Sequence, residues 1–186
     1  MKDLTKAKDR MKAAGAAPAS LPLGNALARG KWRAEFRDPE GNLLHVAEWE
    51  NLIVNEGLDQ LLDGGLVGAG PWYIGLTDGS PTVAAEDTMG THDGWGEVSG
   101  YDEINRQNWT PGTVANQTVD NSGAAAEFTI TNNSTTIGGA FLTNNATKDG
   151  STGKLFAAGA FEQGDVTLSA GSTITVVAEF SQAAAA

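Results

Sequence analysis

The chain has 186 residues, no cysteine and a formal net charge of −11, which excludes disulfides, zinc–thiolate sites and cysteine nucleophiles. No window approaches the roughly 18 apolar residues of a membrane helix, and the N-terminus lacks the apolar core of a signal peptide. We therefore expect one folded domain with an appendage, and no membrane partner.

The charge divides near residue 37. Residues 1–37 contain nine Lys/Arg and three Asp/Glu, whereas residues 38–186 contain three Lys/Arg and twenty Asp/Glu. This pattern predicts a basic arm on an acidic body, and such an arm either reaches another surface or clamps its own body. The acidic body argues against nucleic acid as a partner, because phosphate contacts need Lys and Arg.

Residues 1–30 are predicted to form an extended N-terminal arm, and residues 31–182 a β-sandwich domain. The first 14 residues could form helical turns, but their apolar stripe is too thin to hold a helix alone. Pro18 and Pro22 then favour an extended tether. We expect the arm to be disordered or to order only against a neighbour. Its candidate partner-binding residues are Lys2, Lys6, Lys8, Arg10, Lys12 and Arg29.

A β-hairpin is the clearest element of the sequence. Lys31–Arg37 alternates between apolar and polar residues, Asp38–Asn42 is a strong turn signal, and Leu43–Trp49 returns as a second strand. Asn55 can then cap a short helix, Glu56–Leu62.

The stretch Pro71–Thr110 begins with a predicted buried strand, Trp72–Leu76, and continues as a long acidic segment that contains large aromatic residues. Trp95, Tyr101 and Trp109 predict a packed Ω-type loop rather than a linker. These aromatics either fill the core beneath the loop or form a contact surface for sugar or protein.

After this stretch, short β-type runs alternate with turn signals. The predicted strands are Thr113–Asn121, Ala124–Thr131, Thr136–Thr143, Lys154–Phe161, Val166–Leu168 and Thr173–Phe180. Gly138 and Gly139 predict a bulge or a close backbone approach within one of them. Eight or so short strands and one short helix predict an all-β, jelly-roll-like sandwich, with an immunoglobulin-like strand order as the alternative.

The sequence contains no strong catalytic or ligand-binding motif. Glu86, Asp87, His92 and Asp93 lie close enough in sequence to bind a cation, but their spacing is not that of a calcium loop. GxSxG elbows and phosphate-binding glycine loops are absent. We predict that the protein is not an enzyme and has no metal site and no cofactor.

Several motifs together resemble structural proteins of tailed bacteriophages. The first group is Trp72-Tyr73-x-Gly75-Leu76, then Asp87-Thr88-Met89-x-x-His92-x-Gly94-Trp95-x-Glu97, then Tyr101, Arg106 and Trp109. The later group is Asn121-Ser122, Phe128-x-Ile130, Ile137-x-Gly139-x-Phe141-Leu142 and Gly171-x-x-Ile174-x-Val176. The resemblance covers about residues 48–180 and implies a head decoration or cement protein.

Such a protein is expected to be assembled in the host cytoplasm and to lie on the capsid exterior. Its expected partners are the major capsid protein and further copies of itself, as a homo-oligomer. Two alternatives stay open. The resemblance also permits a tail, neck or fibre component, and the three aromatics permit a carbohydrate-binding module.

Overall fold

The computed structural model describes residues 27–57, 61 and 65–183, and these residues form an all-β fold, as predicted. The strands are β1 Leu27–Arg37, β2 Leu43–Ile53, β3 Trp72–Asp78, β4 Gly96–Val98, β5 Gln107–Trp109, β6 Thr118–Val119, β7 Ala126–Thr129, β8 Thr135–Ile137, β9 Gly139–Thr143, β10 Leu155–Ala160, β11 Val166–Leu168 and β12 Thr173–Ala183. The main sheet has the order β4-β3-β9-β10-β2-β1-β12-β6. In addition, β5 pairs with β3, β7 pairs with β12, and β8 and β11 form a separate pair.

The predicted hairpin is confirmed by the antiparallel pairing of β1 and β2, in which Trp32 lies opposite Trp49. Both strands are longer than predicted. Because β1 begins at Leu27, residues 27–30 belong to the sheet and not to the arm. The helix predicted after the hairpin appears as helical backbone at residues 55–57 and 61, and the rest of its predicted span lies outside the described residues.

Strand β2 joins the two halves of the curled sheet, because most of it pairs with β1 while Leu52 and Ile53 pair with β10. The halves enclose a continuous aromatic core with ring centroids 4.6–6.2 Å apart. Its successive contacts are Phe36–Phe161, Phe161–Trp49, Trp49–Trp32, Trp32–Phe180, Phe180–Phe156 and Phe156–Trp72. Each such pair contributes about 0.5–1.5 kcal/mol beyond its buried area.

The central strand β9 is buried on both faces. Ala140 and Leu142 belong to the main core, whereas Phe141 points to the opposite face of the sheet. There it joins a second cluster, which also contains Val54, Met89, Trp95, Leu155 and Ala158. The segment after β3 therefore covers the outer face of the sheet and forms an additional layer.

The predicted strand Thr136–Thr143 is in fact two strands, β8 and β9, which pair with different partners. The break falls at Gly138, where an added Cβ would overlap the backbone of Gly79 and Ser80. The predicted close backbone approach is thus confirmed, but the prediction of one continuous strand was wrong. Strands β4 and β5, inside the long loop, were not predicted.

Gly75 offers a test of the second cluster, because it lies opposite Phe141 and an added Cβ would overlap the Phe141 ring. Trp95 packs against that ring, with centroids 4.9 Å apart, so the ring has little room to move. We expect Gly75→Ala to lower the free energy of unfolding by about 1–3 kcal/mol through overpacking, as measured by urea denaturation. In the control Gly123→Ala, the new Cβ meets open space. Equal stability of the two variants would contradict the proposed packing.

Candidate interaction surface

The three aromatics of the predicted contact surface are buried. Trp95, Tyr101 and Trp109 are only 9%, 3% and 2% exposed. Tyr101 packs edge-on against Phe128 with centroids 5.0 Å apart, and the Trp109 indole N–H donates to the carbonyl of Ala178 at 3.0 Å. Their rings therefore fill the interior beneath the loop, and the alternative of an exposed aromatic platform is corrected.

Arg106 forms a buried ion pair with Glu97. Its Nε and Nη2 donate to Glu97 Oε1 and Oε2 at 2.8 and 2.7 Å, and the side chains are 0% and 6% exposed. The guanidinium also donates to the carbonyls of Asn145 and Gly150, at 2.9 and 3.0 Å. Residues 97–106 are thereby tied to the loop that follows β9. We call this pair and its backbone partners the arginine clasp.

The arginine clasp has a structural rather than a chemical role. Both carboxylate oxygens of Glu97 accept hydrogen bonds, and Oε2 also accepts one from the backbone N–H of Asp149 at 2.8 Å. The guanidinium lies 5.1 Å from the centre of the Phe141 ring. Both charged groups therefore make several hydrogen bonds, which is how a buried ion pair offsets its desolvation cost.

In the acidic loop that was a weak candidate for binding a cation, Asp87 and His92 make local contacts. Asp87 Oδ2 accepts from the backbone N–H of Ala84 at 2.9 Å, and the His92 ring stacks on Trp95 with centroids 3.8 Å apart. Among the residues that the structure describes, no group of three or more His, Asp or Glu side chains could hold a metal ion.

Tyr101 combines a buried ring with an unpartnered hydroxyl. Lys148 Nζ lies 3.8 Å from the ring centre and donates to the Tyr101 carbonyl at 2.7 Å. The hydroxyl makes no hydrogen bond within the described part of the chain. Burial, and then the negative charge of Glu97, raise the pKa of Tyr101 above its usual value.

The outward face of the hairpin carries Lys31, Arg33 and Arg37 of β1 in an ion-pair network. Lys31 and Arg33 reach Glu48 at 3.8 and 3.6 Å, and Arg33 and Arg37 reach Glu35 at 2.6 and 2.8 Å. Hydrogen bonds from these two arginines hold the pKa of Glu35 below its usual value. Beyond the hairpin the sequence is strongly acidic, so the exterior of the body attracts cations.

An apolar groove of about 560 Å³ opens where β2, β6, β10 and β12 meet. Its floor consists of Ile53, Leu66, Val119, Phe156 and Phe180, and its polar end of Gln117, Thr118, Ser181 and Gln182. Val67 and Val114 on its rim are 46% and 56% exposed. Because exposed apolar side chains beside a concave apolar floor are typical of protein-binding sites, the apolar groove is our candidate interaction surface.

The predicted partner-binding residues of the arm, Lys2, Lys6, Lys8, Arg10 and Lys12, lie outside the described residues, as does the side chain of Arg29. Over the part of the chain that is described, no helix is long and apolar enough to cross a membrane.

No protein-family model, no curated protein and no solved structure matches this chain.

Removal of the Arg106 guanidinium would leave Glu97 buried without its cation. We expect Arg106→Leu to lower the free energy of unfolding by about 3–5 kcal/mol, as measured by urea denaturation. The control Arg33→Leu breaks only exposed pairs and should cost at most about 1 kcal/mol. In a double-mutant cycle with Glu97→Gln, strictly additive effects would show that the two residues do not act as a unit.

Tyr101→Phe removes a buried hydroxyl that has no partner, so we expect unfolding free energy near neutral pH to be unchanged or slightly higher. Because the folded-state pKa of Tyr101 is raised, the unfolded state loses this proton first. The free energy of unfolding is therefore unaffected below the unfolded pKa of about 10 and falls as pH rises above it. The wild-type protein should therefore lose stability more steeply than Tyr101→Phe between pH 9 and pH 11. Urea midpoints measured at both pH values test this, and parallel slopes would contradict it.

Proposed function

We propose that this chain is a non-enzymatic bacteriophage virion protein, a head decoration or cement protein that braces neighbouring major capsid protein subunits. The observation that carries the proposal is the apolar groove on an acidic body. Such a groove accepts a segment of polypeptide, and the acidic exterior favours basic segments beside it. Binding other proteins is the principal activity that this combination supports.

The bacteriophage-like motifs provide a second line of support, because their residues have structural roles in this chain. Gly75 makes room for Phe141, and Trp95 packs on that ring. Glu97 and Arg106 form the clasp that fixes the long loop. A block of sequence that serves to hold a loop rigidly against a sheet suits a protein that must resist mechanical load.

The proposed mechanism divides binding between the body and the arm. The body presents a rigid surface, and the basic arm pairs with acidic surface on a neighbouring subunit. Repetition of such contacts on a lattice raises the overall strength of binding, so each single contact can be weak. A capsid exterior provides this repetition, whereas a carbohydrate-binding role would need exposed rings that Trp95, Tyr101 and Trp109 do not offer.

The arm can be tested in the full-length chain by replacing Lys2, Lys6, Lys8, Arg10 and Lys12 with Gln. We expect occupancy on purified phage heads to fall at least tenfold, because the arm loses its charge pairing. The measurement is co-sedimentation with heads followed by electron microscopy. The control replaces Lys31, Arg33 and Arg37, whose partners are in the same hairpin, and should bind normally.

Two results would overturn parts of this proposal. If the arm variant occupies phage heads as fully as the wild-type protein, the arm does not hold the protein on the head. Labelled wild-type protein found only on tails, necks or fibres would move the protein to that part of the virion.

A further inference from the structure

A short loop, residues 102–105, holds an isoleucine in solvent. Ile104 is 89% exposed, more than any other large apolar side chain in the described part of the chain. The backbone N–H of Asp102 donates to the carbonyl of Thr129 at 2.8 Å. Both carboxylate oxygens of Glu103 accept from the Thr129 N–H at 3.1 Å. We call residues 102–105 the isoleucine loop.

The isoleucine loop is fixed at both ends. On one side, Lys148 Nζ donates to the carbonyl of Tyr101 at 2.7 Å. On the other side, the backbone N–H of Arg106 donates to the carbonyl of Ala146 at 2.8 Å, and its side chain belongs to the arginine clasp. Ile104 is therefore ordered before any partner arrives, and a side chain that is already ordered loses little entropy on binding.

We infer that Ile104 inserts into the apolar groove of a second copy of this chain, so that copies associate head to tail. The inference deepens the proposed structural role and rests on it only for its use on a capsid lattice. Self-association itself can be tested with purified protein.

The isoleucine loop and the apolar groove lie at opposite ends of β12. Thr129, which holds the loop, pairs with Thr173, the first residue of that strand. Phe180 of the groove lies seven residues farther along β12, and seven residues of a strand span about 23 Å. Ile104 therefore cannot reach the groove of its own chain, and the contact needs a second molecule.

The chemistry of the groove suits this loop. The described residues that line the groove include no Asp, Glu, Lys or Arg, although residues 38–186 contain twenty acidic residues. A loop that carries Asp102 and Glu103 beside Ile104 can therefore approach the lining without like-charge repulsion at the contact. The lining offers no carboxylate to a basic segment, whereas the side-chain amides of Gln117 and Gln182 offer donors to Asp102.

A contact between opposite ends of one molecule can repeat from copy to copy, and it closes into a ring where the rotation between copies allows. One isoleucine buries little area, so a single contact is weak. Copies held side by side on a lattice would make many such contacts at once, and their combined binding would be strong. The inferred contact thus suits a protein that works in an array.

The cysteine-free sequence permits a direct cross-linking test with full-length chains. Asn105→Cys protein is mixed with a size-tagged Val114→Cys protein and oxidised, and the mixed disulfide dimer is followed on non-reducing gels. The matched control adds Ile104→Asp to the Asn105→Cys chain, so both cysteines stay in place. We expect the control dimer to form at least about tenfold more slowly, because a carboxylate is costly to bury in an apolar floor.

A second measurement does not depend on cysteine chemistry. Sedimentation of concentrated wild-type protein should show self-association, and Ile104→Asp should weaken it at least about tenfold. The circular dichroism spectrum should stay unchanged, because Ile104 is exposed. Higher salt should strengthen the association, since it screens the repulsion between two acidic bodies. The conservative variant Ile104→Val should associate as the wild-type protein does.

Each alternative has its own signature. If Asn105→Cys and Val114→Cys in one chain close an intrachain disulfide, the loop reaches its own groove and the inference is wrong. Equal dimer rates with and without Ile104→Asp would overturn it, as would equal rates with Val114→Cys and with Gln163→Cys, an exposed position after β10. Unchanged self-association of Ile104→Asp would also overturn it.

Failure of these tests with head binding retained would leave the proposed function standing. Wild-type protein that associates head to tail but does not bind phage heads would overturn the proposed function and leave the contact between copies in place.

Discussion

The contact between Phe141 and Gly75 is the point on which the rest of the structure depends. Phe141 lies on the outer face of the central sheet, and its ring occupies the space above Gly75 on the neighbouring strand. A large apolar ring on an outer face must be covered, because its exposure to water would cost about 1.5–3 kcal/mol. Trp95 packs against it with ring centroids 4.9 Å apart, and the Arg106 guanidinium lies 5.1 Å from its ring centre. The length and aromatic content of the loop after β3 follow from this need.

This constraint also decides where function can reside. A loop that provides a second core and a buried ion pair is held in place and cannot act as a mobile lid. Two of its charged groups, Glu97 and Arg106, are committed to each other. Within the described part of the chain, the apolar groove is a concave surface without an internal partner, and the sequence of the body is strongly acidic. Both features are compatible with the proposed binding role, and neither needs the loop to move.

Local sequence was sufficient to predict strands along which buried and exposed side chains alternate. It predicted β1, β2, β11 and most of β12, since each has a buried face whose period can be read along the chain. Strands β4 and β5 are three residues each and exist because each pairs with one half of the same edge of β3, so no local pattern could identify them. The glycines at residues 138 and 139 indicated a close approach, but only the tertiary structure shows that the chain changes sheets there.

The candidate sites were harder to predict because they join distant parts of the sequence. Arg106 is the one Lys or Arg between residues 38 and 147, and a lone cation among acids and aromatics was a usable signal for a buried pair. Its partner was not predictable, since any of several carboxylates would have fitted the pattern. The apolar groove combines residues from β2, β6, β10 and β12, so the pattern of residues along any one strand could not predict it.

The apolar groove and the charged arm lie in separate parts of the chain, and the two respond differently to salt. Attraction between a basic arm and an acidic body weakens with salt, since charges on exposed surfaces are screened beyond about 8 Å at physiological ionic strength. Burial of apolar side chains in the apolar groove would not weaken in this way. In the proposed role, the arm would direct encounters with a neighbouring subunit and the groove would retain it. Because the arm's lysines and Arg10 lie within the first 12 residues and β1 begins at Leu27, the order of residues along the chain separates the salt-sensitive contact from the body that carries the salt-resistant one.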